Sequence, residues 1–148
     1  PSTKTFNGLL NMKKDYEYVN KDIELHKIGS EDFKPISESV DLCFTSPPYF
    51  NTEKYSDELT QSYIKYPTEN EWVNGYLKDT IHNCYKALKN QGYMMINIAN
   101  VKTSNILEES TLKLAKEQGF KYINTLYLIL SSISGKGVKK EPVFIFQK

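Results

Sequence analysis

The pattern of apolar and polar positions is most informative between residues 40 and 50. The apolar residues of 40–44 do not alternate with polar ones, and the run stops abruptly at Thr45, Ser46 and two prolines. Such a run is typical of a strand covered on both faces, as in the parallel sheets of α/β proteins. Neither Pro47 nor Pro48 has an N–H to donate, and each biases the preceding residue away from helix. We therefore predict a strand that ends in a rigid turn, at the carboxyl edge where open α/β sheets bind ligands.

The rest of the chain alternates between helical and extended patterns. Apolar residues at helical spacing predict amphipathic helices over 2–14, 71–89 and 107–118. We expect the first helix to pack on a sheet and the second to end near Asn90-Gln91-Gly92. Extended patterns predict strands over 23–28, 93–99, 122–130 and 142–146. This alternation indicates a doubly wound α/β fold, and the last two strands, joined by a loop, should pair antiparallel.

Two polar segments interrupt this alternation. The segment 51–70 is rich in tyrosine and lysine and has no clear periodicity, which is typical of a functional loop or lid, although scattered tyrosines also occur on ordinary surfaces. The segment 131–140 is rich in serine, glycine and lysine. Its residues Lys136, Lys139 and Lys140 could contact a phosphate backbone, but a solvated loop has the same composition.

Composition bounds the function classes. With 148 residues, of which 39% are apolar, the chain is expected to form one domain, 1–148. With a net charge of only +1, the chain as a whole is not attracted electrostatically to nucleic acid. Any contact with DNA must therefore come from a local group of residues. No long apolar run or signal pattern supports membrane insertion or secretion, which makes the cytoplasm the default location. Cys43, Cys84, His26 and His82 have no metal-ligand spacing, and the cysteines are interpreted as buried thiols.

The residues of the predicted turn suit a particular ligand. The Ser46 hydroxyl and the Pro47 carbonyl are two acceptors beside the flat ring of Tyr49. Two acceptors can take both protons of an exocyclic NH2 group while the aromatic ring stacks on the planar base that carries it. A plain turn or a polyproline ligand is the structural alternative for the same residues.

Here the chain resembles the S-adenosylmethionine-dependent amino-methyltransferases of DNA, whose motif is Asp/Asn/Ser-Pro-Pro-Tyr/Phe/Trp. The residues Ser46-Pro47-Pro48-Tyr49 fit it, with Thr45 in front as in many members. The resemblance implies that Ser46, Pro47, Pro48 and Tyr49 are catalytic, that a flipped base stacks on Tyr49 with Phe50 in support, and that its amino nitrogen attacks the cofactor methyl. It also assigns Thr45 and the loop residues Ser30, Glu31 and Asp32 to the cofactor, although an ordinary solvated turn explains the loop equally well. No metal is required.

The resemblance further implies a partial Rossmann-like methyltransferase fold. That fold has a mostly parallel sheet with helices on both faces and a terminal antiparallel hairpin, whose last strand lies between the two before it. The chain lacks the family's glycine-rich cofactor loop, because Gly135-x-Gly137 falls in the late loop. We therefore expect the carboxyl-terminal part of a catalytic domain that binds S-adenosylmethionine weakly by itself. Exposed sheet edges would then pair with the missing amino-terminal part or with a second copy.

Several functions remain open from the sequence. The leading one is methylation of cytosine N4 or adenine N6 in DNA. A second is methylation of RNA guanine or protein glutamine, whose enzymes usually carry Asn in place of Ser46. A third is a non-catalytic nucleic-acid-binding or assembly module that has kept the fold.

Overall fold

A computed structural model describes residues 2–16, 18, 22–131 and 138–148. The first helix, α1, begins after Ser2, whose side chain accepts a hydrogen bond from the Thr5 amide at 3.4 Å. The predicted helices over 2–14 and 107–118 and the strands over 122–130 and 142–146 are confirmed within a few residues. The elements in order are α1 Thr3–Asp15, β1 Val40–Thr45, α2 Ser62–Lys65, α3 Glu69–Glu71, a π-helical segment Trp72–Leu77, α4 Lys78–Ala87, β2 Leu88–Asn97, α5 Leu107–Gln118, β3 Lys121–Ser131 and β4 Val138–Gln147.

The described sheet has the strand order β1-β2-β4-β3. Strands β1 and β2 run parallel, and their carboxyl ends meet at the pair Thr45–Ile96. Strand β4 lies between β2 and β3 and runs antiparallel to both. The α/β class and the terminal antiparallel hairpin are therefore confirmed, and the last strand has its expected position between the two others.

The sheet contains less parallel pairing than the sequence pattern indicated, since within the described residues only the β1–β2 pair is parallel. The predicted strand over 23–28 is wrong, because this segment has no regular structure. An alternating pattern gives a strand one apolar face and one polar face. The strand backbone still needs a neighbouring strand to pair its N–H and C=O groups. Within the described residues no strand pairs with the outer edge of β1, so segment 23–28 has no ladder to join.

Helices cover one face of the described sheet. On that face Met94 and Ile96 of β2 and Phe144 and Phe146 of β4 join a core with the buried residues of α4, α5 and the π-helical segment. The opposite face carries Leu42 and Phe44, which are 53% and 65% exposed. The expectation of helices on both faces is therefore not met by the described residues. Helix α1 is amphipathic as predicted, but it has no buried residue and does not pack on the sheet.

The long central helix ends earlier than the sequence indicated. It begins at a capping box in which the Thr68 hydroxyl accepts from the Glu71 amide and the Glu71 carboxylate accepts from the Thr68 amide. It ends at Ala87 and passes directly into β2, so Asn90, Gln91 and Gly92 lie inside a strand and not at a helix terminus. A glycine near the end of a helical pattern often ends the helix. Here β2 begins at Leu88, so the helix has already ended before Gly92.

The two polar segments are largely irregular. Segment 51–70 contains only α2 and the start of α3, which agrees with the loop prediction, while the lid function stays a prediction. Lys136 lies outside the described residues, and Lys139 and Lys140 are exposed on β4. Cys43 and Cys84 are free, half-buried thiols. None of the described helices is long and apolar enough to span a bilayer.

Replacing Gly119 should destabilise the fold, whereas replacing Gly8 should not. Gly119 ends α5 at φ 109°, and a Cβ there would lie 3.1 Å from the Tyr85 hydroxyl. Left-handed backbone costs an L-residue roughly 1–2 kcal/mol, so Gly119→Ala should lower the free energy of unfolding by about that amount in urea titrations. Gly8 lies inside α1 with open space around it, and Gly8→Ala should raise stability by about 0.5–1 kcal/mol. Equal effects of the two variants would contradict the role assigned to Gly119.

Candidate active site at the carboxyl edge of the sheet

The predicted catalytic turn lies where β1 and β2 end side by side. Ser46 follows the last residue of β1 and is exposed, while Pro47 is fully buried. The Ser46 hydroxyl donates to Oδ1 of Asn97 at 3.3 Å. Asn97 is the last residue of β2, so the parallel register is what brings the two side chains together.

Asn97 orients the Ser46 hydroxyl. Its amide nitrogen donates to the Pro142 carbonyl of β4 at 2.9 Å, which leaves Oδ1 facing Ser46. Asn97 is only 6% exposed, and a buried amide is stable only when its donors and acceptors are paired. Because the serine proton is directed at Asn97, the serine lone pairs remain to accept a hydrogen bond from a ligand donor.

Tyr49 is held at both its backbone and its ring. Its amide donates to a Glu53 carboxylate oxygen at 3.3 Å, and its hydroxyl donates to Oε2 of Glu141 at 3.1 Å. Burial, and then the negative charge of Glu141, raise the pKa of the Tyr49 phenol well above its ordinary value. The phenol therefore stays protonated and remains a hydrogen-bond donor at neutral pH.

Phe50 belongs to the core. Its ring is 8% exposed, with its centroid 6.3 Å from that of Trp72. The Phe50 carbonyl accepts from the hydroxyls of Thr52 and Thr103, each at 3.2 Å. In this structure Phe50 anchors the turn, and its ring belongs to the hydrophobic core, as does the ring of Tyr49 at 9% exposure.

The second predicted group, in the loop after Gly29, is docked on α4. Asn83 donates through its amide nitrogen to the carbonyls of Ser30 and Glu31, at 2.8 and 3.1 Å. The Ser30 hydroxyl also lies 2.8 Å from the Thr80 hydroxyl. These contacts fix the loop on α4, whereas the predicted strand over 23–28, which would carry it to the sheet edge, is absent.

Glu31 is the most unusual group of this loop. Its side chain is 2% exposed, and Oε1 forms an ion pair with Lys65 at 3.1 Å. Oε2 has no hydrogen-bond partner among the described residues. A Cβ on Gly29 would lie 2.2 Å from that oxygen, so the space depends on glycine. A buried acceptor without a partner is costly, and a ligand that donates to it would remove the cost.

Lys65 stabilises the acidic loop electrostatically. It contacts Asp32, which is exposed, as well as Glu31. Burial alone would lower the pKa of Lys65, but the hydrogen bonds to Asp32 and Glu31 outweigh that effect and raise it. Nearby, burial raises the pKa of the Tyr76 phenol to about 12. Lysine and tyrosine therefore both stay protonated beside the acidic pair.

A cavity of about 320 Å³ joins the turn to this loop. Its size falls at the lower end of ligand sites, which span roughly 300–1,000 Å³. Its walls combine aromatic rings, a proline and an acidic residue, which fits a nucleoside-like ligand with an amino group. The lining residues include Ser30, Glu31, Pro48, Tyr55 and Tyr76.

Thr45 lies in a separate groove. This groove follows β1, has a volume of about 800 Å³ and is also lined by Ser30, Thr80 and Cys84. Ser30 borders both spaces, Glu31 lines the first and Thr45 the second, whereas Asp32 lines neither. Among the described residues there is no cluster of His, Cys, Asp or Glu that could hold a metal ion.

The sequence interpretation missed three residues of the site. Asn97 had a signal, since an amide inside an otherwise apolar strand must find partners when it is buried. Glu141 and Lys65 had none, because each lies in a charged stretch typical of a solvated surface. Glu141 is separated from Tyr49 by 92 positions, and only the fold brings the two together.

Solved structures share this fold. A candidate DNA modification methylase from Thermus thermophilus is 16% identical, with a TM-score of 0.56 over 82% of this chain and 50% of that one. Its complex with S-adenosyl-L-methionine gives a TM-score of 0.52 at 16% identity over 82% and 54% of the two chains. An S-adenosylmethionine-dependent methyltransferase from Methanosarcina mazei is 11% identical, with a TM-score of 0.52 over 89% and 74%. The chain thus spans about half the length of the Thermus protein.

The sequence comparisons are consistent with this likeness. No curated protein gives a significant match to the chain. The profile of the family described as DNA methylase matches residues 40–148, which include the Ser-Pro-Pro-Tyr turn, Asn97 and Glu141. Since that match extends over most of the sequence, the chain belongs to the DNA methylase family.

Proposed function

We propose that this chain carries the catalytic turn of a DNA methyltransferase that modifies cytosine N4 or adenine N6. The observation that carries the proposal is the Ser46 hydroxyl, which donates its proton to Asn97 while the residue stays exposed, so that its lone pairs can accept from a ligand. An exocyclic amino group has two protons to donate, and Ser46 and the Pro47 carbonyl are the two acceptors. The DNA methylase family and the methyltransferase fold support this assignment.

The turn would activate the amine by orienting it. Accepting both amino protons draws the nitrogen lone pair out of conjugation with the base and toward the methyl group. S-adenosylmethionine, when bound, supplies an activated methyl on a sulfonium. The lone pair of the amino nitrogen would form the new N–C bond as the S–C bond breaks. The electron pair of the S–C bond would go to sulfur, and one amino proton would be released to solvent. The ring of Tyr49 would stack on the flipped base.

Glu31 and Ser30 would bind the cofactor. The unpaired Oε2 of Glu31 can accept from an amino or hydroxyl donor, and the cavity beside it extends to Pro48. Thr45 would contribute from the neighbouring groove. Asp32 is paired with Lys65 and would act mainly by holding that lysine in place. The site lacks a glycine-rich loop, so we propose that a further segment of the same domain, absent from this sequence, completes it.

DNA and that further segment are the proposed partners. Lys139 and Lys140 are exposed on β4 and can contact phosphates of the DNA backbone. Such local contacts are compatible with the low net charge of the chain, +1. The outer edge of β1 and the exposed Leu42 and Phe44 would be covered by the missing segment or by a second copy. We place the reaction in the cytoplasm.

Removing the Ser46 hydroxyl should reduce methyl transfer. We expect Ser46→Ala to lower kcat on the order of 10²-fold, since a group that contacts the reacting atoms is lost, while KM for S-adenosylmethionine stays unchanged. The assay follows labelled methyl groups from S-adenosylmethionine to unmethylated DNA, with this chain and with an upstream-extended form. Ser39→Ala is the control, because its hydroxyl lies at the amino end of β1, away from the turn, and donates to the nearby Ile36 carbonyl. Equal rates for Ser46→Ala and wild type would contradict the proposed mechanism.

Changing Glu31 should weaken cofactor binding. We expect Glu31→Gln to raise the Kd for S-adenosylmethionine about tenfold in the extended form, because a charge-assisted hydrogen bond becomes a neutral one. Titration calorimetry measures the change, with Glu38→Gln as the exposed, matched control. An unchanged Kd would remove Glu31 from the cofactor site. Micromolar binding by the unextended chain would contradict the proposal that a further segment is needed.

A further inference from the structure

Strand β4 extends past the edge of the parallel strands. Its last pairing with β2 joins Val143 to Asn97, and from there β4 continues to Val138 beside β3 alone. Glu141 therefore lies two positions beyond the end of β2, level with the turn that follows β1. This overhang is what allows a side chain of β4 to reach the catalytic turn.

The contact between Glu141 and Tyr49 is buried and specific. Glu141 is 8% exposed and Tyr49 9%. One carboxylate oxygen of Glu141 accepts from the Tyr49 hydroxyl at 3.1 Å, and the other is 2.6 Å from the Lys139 ammonium. A buried carboxylate is costly unless both oxygens are satisfied, so this one is held in a defined position.

Glu53, Thr52 and Thr103 bind the backbone of the turn, whereas the Tyr49 hydroxyl is bound by Glu141 and by the backbone of Ala99. The Tyr49 amide is bound by Glu53, and the Phe50 carbonyl by Thr52 and Thr103. None of these contacts reaches the outer end of the phenol ring. A buried tyrosine hydroxyl usually finds a hydrogen-bond partner. Here one partner is a carboxylate from another strand that is itself held by Lys139, so this hydrogen bond fixes the orientation of the ring.

We propose that Glu141 is a positioning residue that holds the Tyr49 ring in the orientation in which its face meets the target base. Lys139 keeps the carboxylate in place from the exposed side. The inference rests on the proposed function for the identity of the base. The hydrogen bond from Tyr49 to Glu141, called the tether below, is present in the protein without substrate. Displacing a stacking ring by a fraction of an ångström lowers the rate, because the reacting nitrogen must lie in line with the methyl group.

Kinetics of four variants test the role in catalysis. We expect Glu141→Ala and Tyr49→Phe each to lower kcat about tenfold with KM for S-adenosylmethionine unchanged, and the double variant to be no slower than either. Glu141→Gln keeps an acceptor oxygen and should recover most of the activity. Glu117→Ala, an exposed carboxylate of α5, is the matched control. Multiplying effects in the double variant, or full activity of Glu141→Ala in a protein that methylates DNA, would overturn the proposal.

A substrate-free measurement separates this inference from the proposed function. The charge of Glu141 contributes to the raised pKa of Tyr49, so Glu141→Ala should lower that pKa toward its ordinary value. NMR of protein labelled at the tyrosine ring carbons follows the titration, and the signal missing in Tyr49→Phe identifies the residue among eleven tyrosines. An unchanged titration would disprove the tether whatever the activity. A shifted titration in a protein that transfers no methyl group would support the tether and contradict the proposed function.

Discussion

The parallel pairing of β1 with β2 is the constraint on which the site depends. Parallel strands end at the same edge, so Ser46 after β1 meets Asn97 at the end of β2. Asn97 is buried and must satisfy its amide, which it does by donating to the Pro142 carbonyl of β4. One chain of hydrogen bonds thus links β1, β2 and β4 where the prolines end the ladder, and it sets the direction of the Ser46 hydroxyl.

Two buried carboxylates flank this turn, and they are organised alike. Glu31 gives one oxygen to Lys65, and Glu141 gives one to Lys139. The second oxygen of Glu141 accepts from Tyr49, while that of Glu31 has no partner among the described residues. A lysine partner lowers the cost of burying each charge, and the remaining oxygen is then available for a specific task. The proposed tasks differ accordingly: Glu141 holds a side chain of the protein, and Glu31 would hold a ligand.

The exposed surfaces of the sheet fit a site that is only partly supplied by this sequence. The face opposite the helices leaves Leu42 and Phe44 exposed, and the outer edge of β1 has no strand partner within the described residues. The chain also spans about half of the Thermus protein whose fold it shares. Apolar faces of this kind are usually covered in functional proteins. Segment 23–28 has a strand-like sequence but no strand to pair with among the described residues.

The sequence by itself determined what depends on short-range chemistry. Proline geometry ended β1 at Pro47 and Pro48, helical spacing located α5, and the loop-joined strands gave the terminal hairpin. It also singled out Ser46 and Tyr49 as candidate site residues, because their functional groups are close together along the chain. The tertiary structure alone decided the partners of those groups, Asn97 and Glu141, and the burial of Phe50 in the core. The reason is physical: a hydrogen bond across 51 or 92 positions depends on strand order and register, which no local pattern encodes.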